Sequence, residues 1–249
     1  MSAAKVALVT GSGKQRVGWY VAEALARRGY SVAIHYHESG SEAIQTVRHL
    51  EEIGAAAKAF QADLTDETAV RNLVRDAVIT FGRLDVLVTC AAIWPAKKLE
   101  DVTAADVRQC FEVNTLATFV CCQEAGLVMA GQPEGGSIVT VGDWAIARPY
   151  LDHSAYFVSK GAIPTMTAVL AVELACRNPR VRVNCILPGP VLLPPSMTAA
   201  ERQQVIHATL LKREGRPENV AQAVLALAEN DFITGACLPV DGGRTIFAG

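Results

Sequence analysis

The sequence has no excess of basic residues, no long uninterrupted apolar run and no Cys-x-x-Cys motif. Its 249 residues include 23 Lys and Arg against 25 Asp and Glu, a net charge of -2, so neither nucleic acid nor a membrane surface is an expected partner. No apolar run reaches the roughly 18 residues that a membrane-spanning helix needs. None of the seven cysteines forms a Cys-x-x-Cys pair, and most lie in apolar stretches. We therefore expect buried, reduced thiols and no metal site.

The N-terminus leads directly into a strand pattern. It lacks the basic, apolar and small-residue segments of a signal peptide, so we expect a cytoplasmic protein. Hydrophobic residues make up 51% of the chain. A chain of this length and composition can bury one large core, which predicts a single domain over residues 1–249.

Strand-like and helix-like patterns alternate along the chain. Strands are predicted at 5–10, 31–37, 59–63, 84–90, 137–143, 181–187 and 236–240, and helices at 17–28, 41–53, 66–81, 103–129, 155–177 and 217–229. The apolar first, fourth, fifth and sixth strands are typical of a parallel sheet covered on both faces. The pattern predicts an α/β Rossmann fold, a doubly wound seven-stranded parallel sheet with helices on both faces. The proline-rich stretch 189–215 interrupts the alternation and is predicted to be a substrate lid.

A glycine-rich turn follows the first predicted strand and opens a helix. Its sequence over residues 10–18 is TGSGKQRVG. Glycine lets the backbone approach a pyrophosphate closely, and a helix N-terminus offers free N–H groups at the positive end of its dipole. This position predicts a dinucleotide site that includes Gly11 and Gly18. The alternative is a tight turn that needs glycine for its own conformation.

Tyr156 and Lys160 share one face of a predicted helix, because they are four residues apart. A neighbouring ammonium group stabilises a phenolate. We therefore expect Lys160 to lower the pKa of Tyr156 toward a range useful for proton transfer. Without further context, such a pair is also common on solvated helix faces.

These motifs resemble the short-chain dehydrogenase/reductase family. Thr10-Gly11, Asn114, Tyr156-x-x-x-Lys160, Pro188-Gly189, Gly215-Arg216-Pro217-Glu218 and Val240-Asp241-Gly242-Gly243 follow the family's order over nearly the whole chain. The resemblance implies an oxidoreductase that uses a nicotinamide cofactor and assembles as a tetramer through its long helices.

The resemblance also implies roles for individual residues. Asn114 would hold a proton-relay water, Tyr156 would give a proton to the substrate, and Lys160 would also bind the nicotinamide ribose. The remaining cofactor contacts implied by the family's motifs are the adenine-side pair Asp63 and Leu64, the turn residue Ala91, and Pro188 and Gly189 beside the nicotinamide. The alternative for Asp63 is that it only caps the turn that follows it.

Three motifs depart from the family pattern. Six residues separate Gly11 from Gly18, where the family usually has three between its first two motif glycines. Thr89-Cys90-Ala91-Ala92 replaces Asn-Asn-Ala-Gly after the fourth strand. Asp143, thirteen residues before Tyr156, stands where the family places its catalytic serine.

Asp143 bears directly on the substrate. An ionised carboxylate accepts hydrogen bonds but donates none, and it would repel a developing oxyanion. It suits a substrate with N–H donors or a protonated nitrogen, although burial could instead keep it neutral. Pteridine reductases carry Asp at this place, and Trp94 falls where they have a Phe that stacks on the pterin. Trp94 could alternatively pack in the core or under the lid.

The end of the second strand predicts NADPH in preference to NADH. No clear Asp follows the strand to bind a ribose 2′-hydroxyl, and Arg16 could hold a 2′-phosphate. Arg16-Val17-Gly18 is similar to the Arg-Leu-Gly of pteridine reductases. The run 35–39, His-Tyr-His-Glu-Ser, resembles their His-Tyr-His-Arg-Ser, in which Arg and Ser hold the phosphate; Glu38 replaces that Arg. His37 and Ser39 are therefore predicted contacts, whereas His37 and Glu38 could also be solvated.

Three functions remain open from the sequence. The first is hydride transfer from NADPH to a small planar substrate, as in pteridine reductases, with Trp94, Asp143 and Tyr156 binding it. The second is a carbonyl reductase, such as a 3-oxoacyl carrier-protein reductase. The third is a non-catalytic NADP-binding sensor or scaffold. His153 is expected to line the cleft mouth or be solvated, and Trp144 and Tyr150 to line the pocket or pack under the lid.

Overall fold

A single parallel sheet of seven strands forms the centre of the computed structural model, which describes residues 4–247. The strands are β1 (Val6–Thr10), β2 (Ser31–Tyr36), β3 (Ala57–Gln61), β4 (Val86–Thr89), β5 (Gly136–Val141), β6 (Val181–Pro188) and β7 (Cys237–Val240). Their order in the sheet is β3-β2-β1-β4-β5-β6-β7, and every neighbouring pair is parallel. The predicted doubly wound fold is confirmed.

Eight helices connect the strands within the described residues. They are α1 (Val17–Arg27), α2 (Gly40–Glu52), α3 (Glu67–Phe81), α4 (Ala104–Cys110), α5 (Ala117–Ala130), α6 (Ser154–Ala175), α7 (Ala199–His207) and α8 (Pro217–Glu229). Side chains alternate between the two faces of each strand. Leu8 and Ile138 therefore pack with α3, α5 and α6, whereas Val9 and Val139 pack with α1 and α8 on the other face. Each fully buried aliphatic side chain stabilises the fold by roughly 1.5–3 kcal/mol.

The direction in which the chain adds successive strands to the sheet reverses between β1 and β4. From β1 the chain winds outward to β3, then crosses to β4 and continues to β7. The two central strands are in register, with Thr10 beside Thr89 at their carboxyl ends. Ligands of open α/β sheets bind in the crevice beyond such a switch point. The predicted glycine loop and the Thr89–Ala92 motif both lie there.

The long helix predicted at 103–129 is interrupted. Thr103 and Asp106 form a capping box that starts α4, with Asp106 Oδ2 accepting from the Thr103 N–H at 2.7 Å. A π-helical turn over Phe111–Leu116 separates α4 from α5. Asn114 lies in this turn and is completely buried. A π turn inserts an extra residue into a helix and is often found at functional sites.

The two longest helical segments are unusually apolar. Ala104–Ala130 and Ser154–Ala175 are long and apolar enough to cross a membrane by length and composition. Their apolarity has another explanation, because 50% and 44% of the apolar windows are buried inside the fold. Both segments pack against the sheet and contribute to its core.

Two further sequence predictions need correction. Strand β3 lies two residues earlier than predicted, because the Asp63 carboxylate accepts from the Thr65 N–H and hydroxyl at 2.9 and 2.8 Å and so forms a turn outside the sheet. The thiols are all free, but Cys176 and Cys237 are exposed and Cys90 is half-buried. The expectation of buried cysteines holds for Cys110, Cys121, Cys122 and Cys185.

The stretch 189–215 leaves the sheet after β6, and its last residue, Gly215, returns to pair with Val191 near its start. It contains α7, which Thr198 and Glu201 begin with a second capping box. The Gly215 N–H donates to the Pro190 carbonyl at 3.0 Å. Because its two ends meet at this point, the stretch forms an excursion beside the carboxyl end of β6.

Candidate active site

The glycine loop passes very close to the end of β4. Gly11 has a φ of 64°, and a Cβ built on it would lie 2.8 Å from the Cα of Ala91. The Ala91 N–H donates to Thr10 Oγ1 at 3.1 Å, which joins the ends of β1 and β4. A Cβ on Gly18 would lie 2.6 Å from the Gly11 carbonyl oxygen. Both glycines are therefore required by close approach, as the sequence predicts for a phosphate-binding turn.

The extra length of the loop packs against the end of β2. A Cβ on Gly13 would lie 2.8 Å from the Cβ of Tyr36 and 3.2 Å from Ser39 Oγ. Thr46 Oγ1 donates to the Gly13 carbonyl at 3.1 Å. The irregular spacing between Gly11 and Gly18 is thus accommodated by a local bulge that α2 holds in place.

The first turn of α1 fits a dinucleotide phosphate. No side chain caps this helix, and Arg16 precedes it in an extended, exposed conformation. Gly11 packs on Ala91 and Gly18 packs on the Gly11 carbonyl so closely that a larger side chain at either glycine would displace the loop. An uncapped helix N-terminus with its free amides and positive dipole end is a feature that binds a pyrophosphate. Gly11, Arg16, Val17 and Gly18 would hold that part of the cofactor.

The predicted adenine-side residues lie beyond β2 and β3. His37 is exposed, and its Nε2 is 3.8 Å from Asp63 Oδ2. Hydrogen bonds from the Thr65 amide and hydroxyl lower the pKa of Asp63. Asp63 thus caps a turn, the alternative that the sequence leaves open, while Leu64 packs against the core. Ser39 is buried immediately before α2.

Asp143 and Tyr156 come together at the carboxyl end of β5. The Asp143 carboxylate accepts from the Ala145 N–H through Oδ1 at 2.8 Å and from the Tyr156 hydroxyl through Oδ2 at 2.7 Å. Burial raises the pKa of Asp143, and the hydrogen bonds from Ala145 and Tyr156 oppose this effect. The structure brings together the two groups that the sequence predicts to bind the substrate.

Lys160 does not act on Tyr156 as predicted. Its Nζ donates to the Val141 carbonyl at 2.8 Å, and burial lowers its pKa. The pKa of Tyr156 is raised by burial and by the Asp143 carboxylate, whereas the sequence analysis expects Lys160 to lower it. The expectation is wrong for the protein alone, because burial and the adjoining Asp143 carboxylate both favour the protonated phenol, and the Lys160 ammonium is bonded to the Val141 carbonyl. Tyr156 therefore remains protonated at neutral pH.

Asn114 connects the loop after β4 to α6. Its side-chain amide donates to the Ile93 carbonyl and to Ser159 Oγ, both at 3.0 Å, and accepts from the Ile93 N–H at 2.8 Å. Ser159 is completely buried, between Tyr156 and Lys160 in sequence. Sequence reasoning missed Ser159, although a serine inside an apolar helix is itself a signal. Asn114 and Ser159 fix the orientation of the helix that carries the proton donor.

An aromatic cluster lies at the mouth of the cleft. The Trp94 ring stacks on His153 with centroids 4.4 Å apart, and its Nε1 donates to the Tyr150 hydroxyl at 3.1 Å. Trp94 remains 46% exposed, whereas His153 is 9% exposed and therefore not solvated. Tyr150 also packs edge-on against Phe157. Trp144 packs against the cluster that contains Tyr156 and Phe157, so it lies beside the proposed substrate site. The guanidinium of Arg244, in the C-terminal segment, covers its ring.

The turn after β6 lies at the same carboxyl edge of the sheet as Asp143. A Cβ on Gly189 would lie 2.4 Å from the Cα of Asp241, and the Gly189 N–H donates to the Val240 carbonyl at 3.0 Å. The Pro188-Gly189 turn is therefore held against the end of β7. Proton-transfer groups next to a dinucleotide cradle are the arrangement of an oxidoreductase that exchanges a hydride with a nicotinamide.

Comparison with known proteins supports this class. Residues 12–245 match the model of a family described as enoyl-(acyl carrier protein) reductase. A short chain dehydrogenase/reductase of Aspergillus novofumigatus is 34% identical over 260 residues, covering 96% of this chain and 95% of the relative. Versicolorin reductase 1 of Aspergillus parasiticus is 33% identical over 256 residues, covering 96% of this chain and 95% of the relative.

A solved structure is also similar. A blue fluorescent protein from a metagenomic library, crystallised with NADPH, has a TM-score of 0.88 and 33% identity, covering 96% of this chain and 97% of that chain. This chain belongs to the short-chain dehydrogenase/reductase family. It is an NAD(P)H-dependent oxidoreductase that acts on a small-molecule substrate.

Proposed function

We propose that this enzyme transfers a hydride from NADPH to a small planar nitrogen heterocycle, as pteridine reductases do. The observation that carries the proposal is the contact between Asp143 Oδ2 and the Tyr156 hydroxyl at 2.7 Å. It places an acceptor where the family usually has a hydroxyl donor. Such an acceptor matches a substrate that presents N–H groups.

Each group at the site has a separate proposed role in the reduction of a C=N bond. NADPH, when bound, supplies the hydride to the carbon of that bond. Tyr156 supplies the proton to the nitrogen: it is protonated at neutral pH, and its hydroxyl, which donates to Asp143 in the protein alone, would donate to the substrate nitrogen instead. Asp143 accepts from a second N–H of the ring and so orients it. The two lie on different elements, β5–α6 loop and α6, so that their geometry is fixed by the fold.

Lys160 and Asn114 support these groups. The Lys160 ammonium uses one hydrogen on the Val141 carbonyl and has two left for the nicotinamide ribose. Asn114 is held by Ile93 and Ser159, and its position in the π turn supports the proposed role in holding a proton-relay water. Both residues are almost completely buried, which excludes competing bulk water from the proton path.

The preference for NADPH belongs to the same proposal. Arg16 is exposed beside the uncapped start of α1, within the loop that would hold the adenosine phosphate. The NADPH-bound structure of the metagenomic relative is consistent with this preference.

The cluster around Trp94 would bind the planar ring. Trp94 is held from behind by His153 and at its edge by Tyr150, so that its exposed part can stack on a ligand. We also propose that the 189–215 stretch closes over this ligand as a lid. A homotetramer would cover the exposed apolar residues of α5 and α6, which include Leu127 at 51% and Val172 at 66% exposure.

A carbonyl substrate is the second candidate, and one observation favours it. Burial raises the pKa of Asp143, and a protonated carboxyl group can donate to a ketone oxygen as serine does. Under this alternative, Asp143 and Tyr156 would both donate to the same oxygen.

A substrate panel tests the proposal. NADPH oxidation is followed by absorbance with dihydrobiopterin, a quinonoid dihydropterin and an acetoacetyl thioester in parallel. Turnover of a pterin, lost in Asp143→Ala while NADPH binding is retained, is the expected result. The exposed carboxylate variant Asp101→Ala serves as the matched control. Turnover of the thioester alone would overturn the proposal in favour of the second candidate.

A further inference from the structure

His35 lies in the middle of the cofactor-binding end of the sheet. It belongs to β2 and is 2% exposed. The Gly11 N–H donates to its Nδ1 at 3.0 Å, and its Nε2 is 3.2 Å from the Ala62 carbonyl. The Ser12 N–H also donates to the His35 backbone carbonyl, at 3.1 Å. One residue thus contacts both the glycine loop after β1 and the loop after β3.

The two partners define the protonation of the imidazole ring. A carbonyl oxygen can only accept, so Nε2 must carry the hydrogen that faces Ala62. A backbone N–H can only donate, so Nδ1 must be free of hydrogen where it faces Gly11. One neutral tautomer satisfies both contacts, whereas an imidazolium ion would place two donors against each other. Burial lowers the pKa of His35 to about 4, in agreement with a neutral ring.

The contacts join backbone segments that the sheet itself does not connect. Strand β2 separates β1 from β3, so the two loops that follow those strands cannot pair directly. Gly11 has a left-handed backbone conformation, and its amide is oriented by the imidazole. Ala62 immediately precedes Asp63 and Leu64. The ring of His35 therefore spans the gap between the phosphate side and the adenine side of the proposed cofactor site.

We propose that His35 is a positioning residue that sets the spacing between the glycine loop and the loop at Ala62, and thereby the affinity for the dinucleotide cofactor. It would not touch the reacting atoms. The inference rests on the proposed cofactor site but is independent of the proposed substrate. Losing the acceptor at Nδ1 frees the Gly11 amide and with it the loop that receives the pyrophosphate.

Side-chain replacements separate positioning from folding. Asparagine can place its amide oxygen near the position of Nδ1 and keep the Gly11 contact, whereas leucine removes both contacts at similar volume. We expect His35→Leu to raise the KM for NADPH at least tenfold with kcat changed less than twofold. His35→Asn should recover most of this loss. A purely structural defect would lower the amount of active enzyme, and hence the apparent kcat, without changing KM.

Direct binding completes the experiment. Calorimetric titration of NADP⁺ and of NAD⁺ into each variant measures affinity without any substrate, so a wrong substrate assignment does not affect it. If NAD⁺ is the preferred cofactor, the same loss should appear with NAD⁺. His49→Leu is the matched control, because His49 stacks on Trp19 outside the cofactor cleft. Equal cofactor affinity in His35→Leu and the natural chain would overturn the inference. If His35→Leu does not fold, His35→Asn is compared with His35→Gln, because only asparagine can keep the Gly11 contact. Cofactor affinities that fall tenfold in both variants would then also overturn the inference.

Discussion

The Tyr156 hydroxyl donates a hydrogen bond of 2.7 Å to the Asp143 carboxylate. The phenol is therefore held in its protonated form, and Asp143 adds to the burial that raises its pKa. A proton donor must hold its proton at the working pH, which Tyr156 does, but proton transfer is most efficient when the donor's pKa lies near that pH. The proposal therefore requires that bound cofactor and substrate lower the pKa of Tyr156 from its raised value in the protein alone.

Replacement of Asp143 by asparagine should stabilise the protein at neutral pH. A carboxyl group whose pKa is raised in the folded state opposes folding above that pKa, because the unfolded chain holds the charge more easily. We expect Asp143→Asn to raise the melting temperature by about 2–4 °C at pH 8, for a gain of about 1 kcal/mol. The gain should shrink as the pH falls through the raised pKa, where Asp143 becomes neutral. Calorimetry from pH 8 to pH 4 measures it.

The exposed carboxylate variant Asp101→Asn controls for a general effect of charge and should give no gain. An Asp143→Asn variant that is no more stable than the natural chain at pH 8 would contradict the burial argument. We expect Asp143→Asn to gain stability and lose activity, because replacing a functional residue often stabilises a protein at the expense of its function.

Trp94 should contribute to substrate affinity more than to turnover. Its ring is exposed at the cleft mouth and supported by His153. We expect Trp94→Ala to raise the substrate KM by roughly three- to tenfold, as the loss of one aromatic stacking contact predicts, with kcat changed less than twofold. Trp19 stacks on His49 in the same manner, in a pair that joins α1 to α2 and makes no contact with the Trp94 cluster. An equal effect of Trp19→Ala would contradict the assignment of Trp94 to the substrate wall.

Replacement by alanine should have opposite effects at two glycines, Gly18 and Gly161. A Cβ on Gly18 would lie 2.6 Å from the Gly11 carbonyl, so Gly18→Ala must displace the loop. We expect at least a tenfold rise in the KM for NADPH. Gly161 lies within α6 with no heavy atom within 4 Å of its would-be Cβ. Gly161→Ala should instead stabilise the fold by roughly 0.5–1 kcal/mol with unchanged kinetics. Unchanged cofactor KM in Gly18→Ala would contradict the proposed pyrophosphate site.

Charge reversal at Glu38 should increase the preference for NADPH. Glu38 is exposed after β2, near the predicted 2′-phosphate contacts Arg16 and Ser39. Arginine at this position can add a charge-assisted hydrogen bond to the phosphate. We expect Glu38→Arg to lower the KM for NADPH about tenfold, equivalent to about 1.4 kcal/mol, and to leave the KM for NADH unchanged. Glu51→Arg, at the far end of α2, is the control. An equal change in the KM values for NADPH and NADH would argue against a phosphate site here.

Most of the fold follows from the sequence because its signals are local. Apolar strands alternate with amphipathic helices, and glycines such as Gly29 and Gly82 end the helices with positive φ angles. Right-handed parallel crossovers then leave few topologies. The carboxyl ends of the strands meet at one edge, so the sequence could also place Gly11, Asp143 and Tyr156 near one another.

The remaining features depend on contacts between distant residues. The π turn is accompanied by contacts of Asn114 with Ile93 and Ser159, and helix propensity alone cannot show such partners. The pKa of Tyr156 follows from burial beside Asp143, which a motif spacing does not reveal. His35 looks like one residue of an ordinary buried strand until Gly11 and Ala62 are placed on either side of it.

The most direct test of the proposed chemistry is a ratio of two specificity constants. The kcat/KM for a dihydropterin is divided by that for an acetoacetyl thioester, in the natural chain and in Asp143→Ser. Serine can donate to a ketone oxygen and carries no negative charge, so we expect this ratio to fall at least tenfold in the variant. An unchanged ratio, or a higher one, would contradict the claim that the Asp143 carboxylate selects a substrate with N–H donors.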